Sequence, residues 1–309
     1  MEQKLVVSSS PHVHAPLDTQ KIMGWVLTAL IPAGLAGILH YGIRAAAVMA
    51  VCVVSCVFFE FAWQKCTGRT VMVSDLSAAV TGLLLAYNLP VTIPFWMAIV
   101  GSGFAIIVVK QFYGGLGCNI LNPALAGRAM MLASWPVAMT TWTLDGVSTA
   151  TPLAALKLGS TEGLPSLLSM FTGNIGGCIG ESSALALLIG FGILLWKDII
   201  KWHVPVIYVA VAVILCAVFG RPAPFYDLLA GGLLLGAIFM ATDYTTTPLT
   251  RKGQIIFAIG CGFLTAVIRT WGGYPEGVSY SILIMNLLVP LIDRATKPRI
   301  FGEVKHHAK

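Results

Sequence analysis

Charge is what this chain has least of. Only 10% of its residues are Asp, Glu, Lys or Arg, while 57% are hydrophobic; a soluble domain carries about 25% charge. At a mean hydropathy of +0.85 the sequence lacks the polar surface needed to cover a water-facing globule. Cysteine is present but unpatterned. Cys52, Cys56, Cys66, Cys118, Cys178, Cys216 and Cys261 form no C-x-x-C pair and no Cys/His cluster at metal-ligand spacing, so neither a disulfide framework nor a zinc module is expected. Cys52 and Cys56, four apart in one apolar run, read as small packing residues rather than as a metal pair. His12 and His14 in "SPHVHAP" read as part of a solvated tail rather than as a chelate. No cleavable leader is expected, because the first 20 residues are polar and the first apolar run is long enough to span.

What the chain does have is long apolar runs. Several reach 17 residues or more, the length a helix needs to cross a bilayer. Ten helices are predicted, near 22–39, 43–63, 75–89, 93–110, 119–136, 181–197, 204–220, 225–241, 253–270 and 279–293. The third and tenth are short, and Asn122-Pro123 interrupts the fifth. The expected fold is an all-α integral membrane protein of about ten transmembrane helices.

Basic residues orient these helices. With the N-terminus in the cytoplasm, 14 of the 19 Lys and Arg fall on the inner side and 5 (Arg44, Arg128, Lys157, Arg221 and Arg269) on the outer. Lys and Arg are retained inside, so both termini are expected in the cytoplasm. The net charge of +6 then follows from topology, and nucleic-acid binding is not needed to account for it. The expected division is a cytoplasmic tail (1–21), a first five-helix half (22–136), an outer loop (137–180), a second five-helix half (181–293) and a cytoplasmic tail (294–309).

An internal repeat relates the halves. "GRTVMVSDLSAAVTGLLL" from Gly68 aligns without gaps to "GRPAPFYDLLAGGLLLGA" from Gly220, so that Asp75/Asp227, Leu76/Leu228 and Ala78/Ala230 coincide at an offset of 152. The repeats start helices three and eight, five crossings apart. An odd number of crossings inverts one half relative to the other, the arrangement that builds sites near mid-membrane from short or broken helices. Gly- and Leu-rich helices also resemble one another by chance, but here the charges coincide as well as the leucines.

The loop from Val137 to Gly180 is 44 residues long, and a connection of that length is functional or disordered. Trp142, Leu144, Leu153, Leu156 and Leu158 are expected to pack it against the membrane domain. Its polar centre, "DGVSTATPLA" (145–154), offers Thr151 as a hydroxyl in an exposed segment that another enzyme can esterify, or an ordinary Ser/Thr-rich turn.

"DGVSTAT" resembles the D-x-x-S-G/A-A-T signal at which a flavin transferase joins FMN, through its phosphate, to the last threonine. "SPHVHAP", "CNILNPALAGRAM", "GGCIGESSALALLIG", "FMATDYTTTP" and "YSILIMNLLVPLIDRAT" are similar to segments of the RnfD/NqrB family of membrane flavoprotein subunits, and the resemblance runs along essentially the whole chain. It implies covalent FMN on Thr151, with Asp145 and Ser148 as recognition residues, and a noncovalent riboflavin. It implies ten helices in two inverted halves and a place in the prokaryotic inner or plasma membrane. The short N-terminal tail favours the Rnf branch. There the complex passes electrons between ferredoxin and NAD, coupled to Na+ or H+ movement, and the partners are the A, B, C, E and G components of that complex together with a flavin transferase. Such a component carries electrons within a translocase and has no catalytic residue of its own. Thr149 stands where the family usually has Gly or Ala.

Other residues carry two readings. "TGNIGGCIGES" (172–182) is either a backbone cradle for a phosphate or a tight turn with Glu181 and Ser182 capping the next helix. Asn119 and Asn122 are expected on one helix face, facing a flavin edge or a cation, or bonding to neighbouring helices. Asp75 and Asp227 suit helix N-termini or an ion path. Arg128 and Arg269 near outer helix ends either attract a flavin phosphate or snorkel to headgroups. The rival to the whole reading is an inverted-repeat channel or secondary transporter for a small polar solute, with no flavin.

The charge count generates a test. A cysteine placed at Ser160 in a cysteine-free background is expected to react with an impermeant maleimide added from outside the cell. Labelling only from the cytoplasmic side would invert the topology.

Overall fold

A computed structural model describes residues 18–144, 147–148, 151–157, 165–173, 176–273 and 276–298. His12, His14, Asp145, Thr149, Leu158 and Ser160 lie outside them. The described chain is all-helical apart from one two-residue ladder. Four helices are long and apolar enough to cross a membrane: α1 (Thr19–Tyr41), α2 (Ile43–Cys66), α13 (Arg251–Trp271) and α14 (Val278–Thr296). Only 28% to 44% of each apolar window is buried inside the protein, so most of these apolar side chains face outward. Leu39, Ile43, Val54, Phe58, Ile214 and Leu287 are exposed, and lipid is the solvent that such a surface requires. The chain is a multi-pass membrane protein.

The remaining predicted runs are helical but short or broken. They are α3 (Ser77–Tyr87), α4 (Phe95–Gly103), α5 (Pro123–Ser134), α9 (Ala184–Trp196), α10 (His203–Val218) and the pair α11 (Pro224–Leu229) and α12 (Leu233–Leu235). Two of them run on as π-helix, α4 through Phe104–Gln111 and α12 through Gly236–Met240. The tenth run, expected short, is the 19-residue α14. The fifth starts later than expected. Asn122-Pro123 does not interrupt α5 but begins it, because proline at the first helical position has its φ already set and its missing N–H costs nothing. Asn122 accepts from the N–H groups of Ala124 and Leu125 at 3.1 and 3.3 Å as the N-cap.

The long loop has structure of its own. It contains α6 (Pro136–Thr140), strands β1 (Thr143–Leu144) and β2 (Val147–Ser148) paired antiparallel, α7 (Pro152–Lys157) and α8 (Leu167–Thr172). Leu153 and Leu156 are buried, and Leu153 packs with Met170 and Ala230, so this loop does dock on the helical body.

The chain reverses twice in the same way at an offset of 152. After α2, Thr67 N–H donates to Trp63 O at 2.9 Å and Arg69 N–H to Gln64 O at 2.9 Å; after α10, Phe219 N–H donates to Leu215 O at 2.8 Å and Arg221 N–H to Cys216 O at 3.1 Å. Between them Gly68 and Gly220 take φ of +67° and +77°, the left-handed turn that stops a helix at low cost only with glycine. Asn88 and Met240, again 152 apart, touch at 3.7 Å.

Tight crossings hold the helices together. A Cβ on Gly82 of α3 would stand 2.8 Å from Cys52 O and from Val53 Cα of α2, a backbone approach that only the smallest side chain allows. Gly82→Leu is expected to separate α2 from α3 at a cost of about 1–3 kcal/mol, read as a lowered Tm and a lower yield of detergent-purified protein. An unchanged Tm would show that this crossing does not bear on stability.

Candidate functional site

Two buried polar clusters stand out. The first joins the middle of α5 to the loop before α9 and the start of α14. Arg128 is only 4% exposed. It donates to Asn88 Oδ1 and Ser279 Oγ at 3.0 Å each, to Cys178 Sγ at 3.7 Å and to the Glu276 carboxylate. Its guanidinium also lies 3.9 Å from Glu181. The sequence places Arg128 near an outer helix end. In the structure it sits in mid-helix behind other side chains, which rules out snorkelling. Arg269 repeats the lesson. It is fully buried, pairs with Asp227 at 3.5 Å and donates to the carbonyls of Ala230, Gly231 and Glu276 at 3.3, 3.2 and 3.0 Å. The chain breaks between α11 and α12, which leaves the Ala230 carbonyl without a helical partner and the Gly231 carbonyl bonded only to the Leu233 N–H, and a five-donor fork is the side chain that can bridge such a break.

Thr151 lies beside this cluster. It is 8% exposed, against the expectation of an exposed hydroxyl. Its Oγ1 accepts from Ala154 N–H at 3.3 Å, so it caps α7. With Gly176, Gly177, Glu181, Gly231 and Glu276 it lines a pocket of only about 10 Å³. Of the recognition motif, Ser148 is described only by its backbone, which pairs with Thr143. The glycine-rich turn has its Gly177 carbonyl accepting from Tyr41 Oη at 3.2 Å. The helix cap there is Ser183, whose Oγ accepts from Ala186 N–H at 3.3 Å. Neither Glu181 nor Ser182 caps α9, since both side chains turn inward and are buried.

The second cluster is centred on Glu60 of α2. Lys110 Nζ lies 2.9 Å from both Glu60 oxygens and 2.6 Å from Ser77 Oγ, and Gln111 Nε2 lies 2.8 Å from Glu60 Oε1. Consecutive residues of an α-helix diverge by roughly 100°; the π-helical turn at Phe104–Gln111 lets Lys110 and Gln111 reach one carboxylate. Asp75 turns to Ser77, accepting from its N–H at 2.9 Å and its Oγ at 2.7 Å, and its counterpart Asp227 is held by Arg221 at 2.9 Å. Lys110, Ser77, Asn119, Asn122 and Asp243 are among the residues that line an internal pocket of about 100 Å³, whose few polar groups converge among apolar walls. Asn119 and Asn122 thus share a pocket but not a helix face, because Asn119 precedes α5 in an irregular turn, where it donates to Leu121 O at 3.0 Å.

A family model for the NQR2, RnfD, RnfE family matches residues 6–302. The chain belongs to this family. It is 53% identical over 316 residues to the D component of the Na(+)-translocating ferredoxin:NAD(+) oxidoreductase complex of Acetobacterium woodii, covering 100% of this chain and 99% of that one. To the D component of the proton-translocating ferredoxin:NAD(+) oxidoreductase complex of Clostridium ljungdahlii it is 45% identical, covering 96% of each. To the D component of the ion-translocating oxidoreductase complex of Stutzerimonas stutzeri it is 39% identical, covering 92% of each.

Sequence reading passes over Glu60 and Glu276 and puts Lys110 at an inner helix end. A signal for Glu60 and Lys110 is there: an acid and a lysine within apolar runs are candidate functional residues by default. Glu276 carries none, since it stands in the connection between two helices.

The Glu60–Lys110 pair is a stability element with a checkable sign. Lys110→Met alone leaves a buried carboxylate uncompensated and is expected to cost about 3–5 kcal/mol. Adding Glu60→Gln to the same protein is expected to restore much of the loss, read as Tm in detergent. A double variant that melts lower than the single one would show that the charges are needed for more than mutual neutralisation.

Proposed function

We propose that this chain is the D-type component of an ion-translocating ferredoxin:NAD oxidoreductase and carries FMN on Thr151. The observation that carries the reading is end-to-end likeness to proteins named as that component, together with a D-x-x-S-x-A-T signal ending on a threonine in the long loop. The architecture in this reading is ten crossings in two inverted five-helix halves, supported by the matched reversals at Gly68 and Gly220. Both termini are cytoplasmic and Thr151 is outside. The partners are the A, B, C, E and G components and the flavin transferase. The relatives named for coupling differ, one Na+ and one proton, so the transported ion is not assigned.

The residues present fit a tether. Thr151 Oγ1 is a hydroxyl oxygen able to form a phosphoester, and its backbone is fixed by α7, where Ala154 and Ala155 N–H donate to Thr151 O at 2.9 and 3.1 Å. Glu181 and Glu276 line the same small pocket, and two carboxylates disfavour a phosphate on its floor. The fit is therefore to attachment at the rim, not to a flavin buried beneath Thr151. When bound, FMN supplies the electron-accepting ring. The chain fixes the point of attachment and holds its effective concentration high. The larger pocket beside Asn119, Asn122 and Lys110 is our candidate for the noncovalent riboflavin, where those side chains would meet a polar ring edge.

In a host with a flavin transferase, the purified protein is expected to exceed its sequence mass by FMN minus water, with the increment on the Thr151 peptide. Thr151→Ala is expected to abolish the increment, whereas Thr149→Gly is expected to keep it. Thr151→Ser preserves both a hydroxyl and the cap on α7 and controls for the roughly 1 kcal/mol that a lost cap costs. An unmodified wild-type chain, or FMN on another residue, would refute the assignment.

A further inference from the structure

The cluster around Thr151 is part of a larger charged network. Among the described residues three arginines (Arg128, Arg221 and Arg269) and three acids (Glu181, Asp227 and Glu276) are linked in it. Arg221 Nη1 donates to Arg269 O at 2.7 Å, and Arg269 Nε to Glu276 O at 3.0 Å. Three charges of each sign balance, with the half-buried Lys157 on the Gly272 carbonyl at the rim. Within this balanced set one acid oxygen is left over. Glu181 is 6% exposed, yet its Oε1 makes no well-formed hydrogen bond; only the Gly232 backbone and the Cys178 thiol approach the carboxylate, and the nearest charged nitrogen, on Arg128, is 3.9 Å away. The other acids are engaged directly, Glu276 by Arg128 and Asp227 by Arg221 and Arg269. Glu181 also borders the Thr151 pocket and a second small cavity along Leu229–Leu235. It lies against the backbone of Gly232, where a Cβ would stand 2.8 Å from Oε1.

A balanced buried network cannot take a further negative charge beside it without a compensating positive one. Building on the reading of Thr151 as the flavin tether, we propose that Glu181 is a redox-linked proton site. When one electron from a reduced iron–sulfur protein adds a negative charge to the group on Thr151, one proton from water converts the Glu181 carboxylate to a carboxyl. The electron's charge and the proton's cancel, and the proton sits on the oxygen that makes no well-formed hydrogen bond. The groups facing Glu181 are Arg128 of α5, Glu276 before α14, Cys178 of its own loop and Tyr41 of α1, and α12 contributes only backbone. Of these, Arg128 and Glu276 neutralise each other, which leaves Glu181 as the acid free to change charge. A proton suits this place better than a metal ion. Cys178, Glu181 and Glu276 do bring three ligand atoms within 4.8 Å of one another, but the Arg128 guanidinium already contacts both Cys178 and Glu276 and would face any cation placed among them.

The experiment is redox-difference infrared spectroscopy of the purified, FMN-loaded complex, dithionite-reduced minus oxidised. A protonated-carboxyl C=O band is expected to appear on reduction, to move to lower frequency in D2O and to vanish completely in Glu181→Gln, while the peptide mass still shows FMN on Thr151. The pH dependence of the tethered flavin's midpoint potential is expected to be weaker in that variant. Should Glu181→Gln fail to assemble, Glu181→Asp decides instead, since the carboxyl band must then move in frequency, and a band left in place overturns the assignment. A modified Thr151 with no such band, a band retained in Glu181→Gln, or a spectrum that changes with Na+ but not with D2O overturns the proton site. An unmodified Thr151 peptide overturns the tether itself and the proposal with it.

Discussion

Burying an unpaired charge in a bilayer costs more than any single helix contact returns, and this protein buries many. Arg128, Arg269, Lys110, Glu60, Glu181 and Asp227 are all under 7% exposed. Each cation finds an acid, and the acids come from different parts of the chain: Lys110 meets Glu60, 50 residues away, Arg269 meets Asp227, 42 away, and Arg128 meets Glu276, 148 away. These pairs do not add stability over an apolar core of the same shape. They restrict which packings are allowed, because a shifted helix would strand a charge.

The same constraint explains where the helices break. A straight α-helix satisfies its own backbone and presents no free carbonyls to an arginine. The interruption between Leu229 and Leu233 exposes the carbonyls that Arg269 binds, and the π-turn before Gln111 brings Lys110 and Gln111 together onto Glu60. Breaks in the membrane region are tolerated only where protein covers them, and in both places a buried side chain does so. The short helix α3 ends against the first cluster through Asn88, which accepts from Arg128, and α5 begins at Asn122, which caps it and donates to the Met240 carbonyl.

The long loop belongs to this scheme. Leu153 anchors α7 against Ala230, next to the carbonyls that Arg269 holds, and Glu276 and Glu181 line the pocket beside Thr151. Thr151 is therefore set on the charged network rather than on a free strand, and a change of charge there is felt by the acids that share its pocket.

Much of this was legible in the residues. Scarce charge and long apolar runs dictate a membrane protein because composition alone decides which solvent the surface can face. The repeat at offset 152 aligns Gly68 with Gly220, and both take the same left-handed turn, since a left-handed helix stop favours glycine wherever it occurs. The D-x-x-S-x-A-T stretch makes Thr151 a candidate from the sequence because the pattern is local and needs no fold to be seen. Tertiary structure alone decided the rest. Nothing local tells a snorkelling arginine from a buried one: Arg128 and Arg269 lie close to run ends in the sequence, and only packing places Glu276 and Asp227 against them. Asn119 and Asn122 have helical spacing, but whether the helix includes both depends on where Pro123 starts it. The burial of Thr151 and the unpartnered oxygen of Glu181 are properties of several segments meeting, and a sequence read one segment at a time cannot specify such a meeting.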